Sequence, residues 1–98
     1  MTVEVRLRPE AERDLEEAAA WYEEQREGLG QEFLDEAAAT FSAIADVPSM
    51  FAVIHRGTRR ALMHRFPFGV FYQVDDDGAW VVAVLHGSRH PQRWKKRT

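Results

Sequence analysis

The chain of 98 residues has no cysteine. Disulfides, thiolate metal sites and a thiol nucleophile are therefore excluded, which fits a reducing compartment. No apolar run approaches the ~20 residues that a membrane helix needs. The opening MTVEVRLRPE alternates apolar and polar residues and lacks the apolar centre of a signal peptide. A cytoplasmic protein is the expectation. There is no repeat, low-complexity tract or obvious linker, so one domain over residues 1–98 is expected. A chain of this size buries roughly 60–70% of its unfolded surface, enough for a core without staples.

Other absences are local. No glutamate follows Glu36, the only lysines are Lys95 and Lys96, and the only tyrosines are Tyr22 and Tyr72. Residues 51–98 contain three acids, Asp75, Asp76 and Asp77, against nine Lys and Arg, a balance of +6. Residues 1–50 carry thirteen acids against four arginines, a balance of −9. All four histidines, His55, His64, His86 and His90, lie in the basic half. Such a positive field favours a nucleic acid, a phosphate-rich particle or an acidic protein. Alternatively, the two halves neutralise each other across the fold.

Periodicity orders the elements. Val3, Val5 and Leu7 alternate with charged residues, which predicts a strand over Val3–Arg8. Pro9, with Glu10 and Glu12 behind it, suits a helix start. Ala11, Leu15, Ala18 and Tyr22 make one helical stripe, and Gly28 stops the helix. A second stripe holds Phe33, Ala37, Phe41 and Ile44, flanked by Leu34 and Ala38, and ends before Pro48. A short link makes the two helices an antiparallel hairpin. After an irregular stretch around PSMFAVIHRG the period becomes two. RRALMHRF and GVFYQV read as strands joined by FPFG, with Gly69 relieving that turn. Asp77-Gly78 marks a hairpin, and AWVVAVLHG reads as a central strand covered on both faces. PQRWKKR suits a short helix from Pro91. The order β-α-α-β-β-β predicts an α+β domain, the helical hairpin packed on a mostly antiparallel sheet.

AERDLEEAAAWYEEQREGLGQEF, VPSMF, RFPFGVFYQV and VLHGSRHPQRWKKR, in that order and over nearly the whole chain, resemble the ParE/RelE toxins of bacterial type II toxin–antitoxin modules. The resemblance implies a small cytoplasmic toxin of the same β-α-α-β-β-β arrangement. A cognate antitoxin would neutralise it by wrapping it with a C-terminal segment. Such antitoxins often bind operator DNA, so the toxin would meet DNA only indirectly. RelE-like members cut messenger RNA on the ribosome, whereas ParE-like members poison DNA gyrase without cutting.

Metal-free RNA cleavage needs a base, an acid and cations for the phosphorane charge. His86 or His90 could serve as the base, and Arg59, Arg65 and Arg89 could hold a phosphate. The resemblance weighs against this reading. RelE-like nucleases carry lysines on the middle strands, or a glutamate base on the sheet, and often a tyrosine near the C-terminus; none is present here. His64, alternating with Leu62 and Phe66, reads as a partly buried sheet residue. His86 and His90 are four apart, but Pro91 follows and no acidic ligand is near, so neither a metal nor a cofactor is expected.

The ParE-like reading needs only a docking surface. Arg59, Arg65, Arg89, Arg93, Trp94, Lys95 and Lys96 are the candidates for target binding, as Arg and Trp are typical interface anchors. Trp21 lies about 100° from Tyr22 around its helix, off the main stripe. With Met50, Phe51 and Trp80 it is expected to line a hydrophobic groove for an antitoxin helix, unless these side chains complete the core. Gyrase inhibition leads, ribosome-dependent cleavage is the alternative, and an inactive antitoxin-binding module is the third possibility.

Overall fold

The computed structural model describes residues 2–87 and 91–98. Strand β1 (Val5–Leu7) precedes helices α1 (Pro9–Gln25) and α2 (Leu29–Asp46). Strands β2 (Val53–His55), β3 (Thr58–Leu62), β4 (Phe68–Asp75) and β5 (Gly78–His86) follow, then helix α3 (Pro91–Lys96). The sheet order is β1-β5-β4-β3-β2. Only β1 with β5 is parallel, so the sheet is mostly antiparallel and the α+β reading holds. The additional strand, β2, lies in the stretch read as irregular. It has three residues, a shifted register against β3 and no clean alternation.

Local chemistry sets the helix boundaries. Pro9 begins α1, whose N-cap, Arg8, offers no capping side-chain bond. At the hairpin, Gly28 adopts φ +87°, which glycine tolerates best. The Glu23 carboxylate accepts hydrogen bonds from the N–H groups of Gly28 (2.9 Å) and Gly30 (3.0 Å). A carboxylate from α1 thus caps the exposed amides that open α2. A Cβ at Gly30 would stand 2.6 Å from the Ala19 carbonyl oxygen, so the helices meet backbone to backbone there.

The core lies between the hairpin and one sheet face. Ala11, Phe33, Ala37, Ile44, Val70, Tyr72, Val81 and Val84 are buried in it. The α2 stripe turns toward Thr40, which is buried, while Phe41 is only partly so. The hydroxyl of Thr40 donates to the Glu36 carbonyl, so burial leaves it satisfied. The other sheet face forms a second, smaller cluster of Phe71, Val82, Ala83, Leu85 and Trp94. β5 is therefore covered on both sides. Its pairing with β4 steps from Tyr72–Val81 to Phe71–Ala83, which leaves Val82 as a bulge.

Gly69 lies inside β4 and not in the turn. A Cβ there would come within 3.3 Å of the Arg60 Cγ, so the missing side chain makes room for the Arg60 stem. The turn itself falls between β3 and β4, closed by the Met63 N–H on the Phe68 carbonyl at 2.9 Å. Among the described residues no helix is long and apolar enough to cross a membrane.

Candidate functional site

β1 covers only the first part of β5. Its pairing ends at Leu7 with Val81, and the Arg8 N–H then bonds the Val81 carbonyl. Beyond that point two side chains occupy the strand edge. Asp14 on α1 accepts the Val84 N–H at 3.1 Å, and Arg97 donates to the Val82 carbonyl at 3.0 Å. Arg97 also reaches Asp14 at 2.6 Å. The pair stands where a longer β1 would have bonded, and it fastens the C-terminal segment to the first helix.

Next to this edge, between α1 and α3, lies a groove of about 310 Å³. Trp21, Tyr22 and Phe68 form its aromatic wall, Leu85 adds apolar surface, and Glu17 and Arg93 also line it. Trp21 is 56% exposed, the largest side chain so presented. Tyr22 is half-buried and stacks with Phe33 at 5.2 Å, so only Trp21 projects from the stripe. The 100° offset seen in the sequence becomes an outward indole.

The four expected antitoxin contacts do not share that groove. Met50 is exposed and Phe51 half-buried, beyond the far end of α2. The α2 axis separates them from Trp21 by on the order of 20 Å. Phe51 packs edge-on to Tyr72 at 6.4 Å and belongs to the core. Trp80 lies between Ala79 and Val81, both of which face the hairpin, so strand alternation sends it to the other face. There Arg8 and Arg6 lie over its ring at 4.3 and 5.3 Å.

The target-binding candidates also divide. Arg59 is opposite Tyr72 on the hairpin side, and its guanidinium serves the carbonyls of Phe51 (2.6 Å) and Ser49 (3.2 Å). It holds the α2–β2 connection through these carbonyls. The Tyr72 hydroxyl bonds the Pro48 carbonyl at 2.5 Å, and burial raises its pKa. Arg65 is exposed, yet it pairs with Glu32 at 2.8 Å. Glu32 also takes Arg26 at 2.8 Å, and these two hydrogen bonds hold its carboxyl below the usual range. Trp94 is only 7% exposed: it stacks on Phe71 at 4.7 Å and meets His55 edge-on at 5.7 Å. It anchors α3 to the sheet, so its ring is turned from solvent. Arg93, Lys95 and Lys96 are exposed. Arg89 and His90 lie outside the described residues.

A second, wider concavity of about 550 Å³ opens at the β3–β4 turn. Arg60, His64, Arg65 and His86 line it, and among the described residues no carboxylate does. Its apolar lining includes Leu62, 55% exposed. His86 packs against Phe68 at 5.8 Å, and His64 is exposed beyond the end of β3, not partly buried in the sheet. Arg60 is absent from the residues singled out in the sequence. Ala61 faces the hairpin core, and alternation around it would have put Arg60 and Leu62 on the opposite face. Among the described residues no three His, Cys, Asp or Glu stand together as a metal site.

Comparison with known proteins supplies the context. A family model described as the ParE toxin of the type II toxin–antitoxin system parDE matches residues 5–91. A solved structure described as the chromosomal ParDE TA system from P. aeruginosa superposes with a TM-score of 0.77. At 13% identity, over 87% of this chain and 96% of that one, the likeness shows a common fold. No curated protein matches the chain.

Proposed function

Because the chain belongs to the ParE toxin family of type II toxin–antitoxin systems, we propose that it acts in the cytoplasm by docking on DNA gyrase and inhibiting it, and that a cognate antitoxin neutralises it. The observation that carries the target reading is the exposed cation set on α3. Arg93, Lys95 and Lys96 project from a helix whose fourth position, Trp94, is locked into the sheet. A rigidly presented cation cluster supplies long-range attraction and a fixed contact geometry, and it needs no proton transfer. The sequence supports this choice, since it lacks the sheet lysines, sheet glutamate and terminal tyrosine of the nuclease branch.

For the antitoxin, the groove beside Trp21 is the favoured seat. An exposed indole beside Phe68 and Leu85 suits the apolar stripe of an antitoxin helix. Met50 and Trp80 would have to be covered by other parts of a wrapping segment.

One observation favours a second reading, a ribosome-dependent ribonuclease. Arg65 and His86, a phosphate clamp and a base in that reading, line the same concavity. Growth under induced expression, with and without the antitoxin, tests the toxin reading. Arrest that the antitoxin relieves is expected; normal growth in both cultures would leave an inactive binding module.

A further inference from the structure

The basic residues of the second half are not spread evenly. Trp94 is the landmark: its ring lies on Phe71 and against His55. Arg60 is the β3 partner of Phe71, and Arg56 follows His55 in the turn between β2 and β3. Lys95 holds its Nζ 5.7 Å above the Trp94 ring, and Lys96 is next along α3. Arg60 and Lys95 therefore flank this ring on the sheet face away from the helical hairpin, with Lys96 next along α3, while Arg56 lies beyond the Thr58 end of β3, toward Gln73 and Asp75. Among the described residues no ion pair engages Arg60, Lys95 or Lys96, whereas Arg6, Arg26, Arg65 and Arg97 each hold a carboxylate. The three acids of this half lie at the far end of β4. Asp75 is four residues beyond Phe71, about 14 Å along an antiparallel strand.

Arg60 links this cluster to the concavity at the β3–β4 turn. Its stem lies across Gly69, where a Cβ would come within 3.3 Å of the Arg60 Cγ. Among the described residues none that lines this concavity is acidic, although Glu32 and Glu36 bond Arg65 at its margin, and Leu62 gives it an apolar lip. A cation cluster running into a depression lined by Arg60, His64 and His86 suits a chain of phosphates with exposed sugar edges.

We propose that the α3 face, through Arg60, Lys95 and Lys96, binds the phosphate backbone of duplex DNA directly. The proposal rests on the gyrase reading, in which the DNA held by the enzyme is the polyanion beside the docked toxin. It is separate from operator binding through the antitoxin.

The test uses the purified full-length toxin and a short fluorescein-labelled DNA duplex, read by anisotropy at several salt concentrations. Three phosphate contacts would weaken binding roughly 40-fold between about 50 and 200 mM salt, and two contacts only about 12-fold. Arg60→Gln is expected to reduce the salt dependence by that one step, and Lys95→Gln with Lys96→Gln to reduce it further. Circular dichroism confirms that each variant is folded. The same preparations go into a gyrase supercoiling assay. A toxin that inhibits gyrase but does not bind the duplex at low salt overturns the inference and leaves the gyrase reading standing. A toxin that binds the duplex with the expected salt slope, yet leaves gyrase active, supports the surface and overturns the reading beneath it. Binding unchanged in all variants, or tighter to single-stranded RNA than to the duplex, overturns the inference.

Discussion

The Asp14 carboxylate and the Arg97 guanidinium, 2.6 Å apart, close the stretch of β5 edge that β1 does not reach. Their side chains are 5% and 18% exposed, and each also bonds the strand backbone. An open strand edge invites unwanted pairing, and a helix or loop laid over it is one remedy. Here an ion pair does so, joining residues 83 positions apart.

Arg97→Met is therefore expected to destabilise the fold by about 3 kcal/mol, since Asp14 would remain buried without its counter-charge. Urea unfolding measures this. A loss below about 0.5 kcal/mol would show that the pair is a surface contact in solution.

Trp94→Ala should cost about 3–5 kcal/mol by removing a buried indole and its stack on Phe71. Trp94→Phe should recover most of that stability. If Trp94→Ala kept its melting temperature but lost toxicity, the ring would be a target anchor instead.

Trp21→Ala should leave folding almost unchanged, because the ring is more than half exposed. Its effect should fall on antitoxin affinity, at about 2 kcal/mol for a central aromatic anchor. Calorimetry of the toxin–antitoxin pair beside a thermal melt separates the two. Equal losses would assign Trp21 to the core.

Glu32 accepts hydrogen bonds from Arg26 and Arg65, which lower its pKa from the ordinary 4.5. A depressed carboxyl contributes stability above its unfolded value and loses it as the pH falls through the folded one. The advantage of wild type over Glu32→Gln should therefore shrink between about pH 6 and pH 3. A constant difference across that range would mean that the shared pair does not persist in solution.

Much of this fold was legible in the sequence. Pro9, Gly28, Pro48 and Asp77-Gly78 punctuate the chain at the observed boundaries, because each carries a backbone preference of its own. Strand β2 was hidden by its length and shifted register, which leave no two-residue pattern. The site was harder to read. Trp94 looked like an exposed anchor among cations, but a helix of six residues buries one side chain against Phe71 while its neighbours stay wet. Arg59 and Arg60 are adjacent and chemically identical, yet strand alternation sends one to backbone carbonyls near the core and the other to the open face. Trp80 left the expected groove for the same reason. Residue identity gave the candidates, and register decided which of them share a surface.

The measurement that tests the central claim most directly is DNA supercoiling by purified gyrase with rising amounts of the purified toxin. Message cleavage on ribosomes is assayed with the same preparation. The account predicts falling supercoiling, or accumulation of cleaved gyrase–DNA complexes, with message intact and with relief by the antitoxin. Full supercoiling alongside cut message would contradict it.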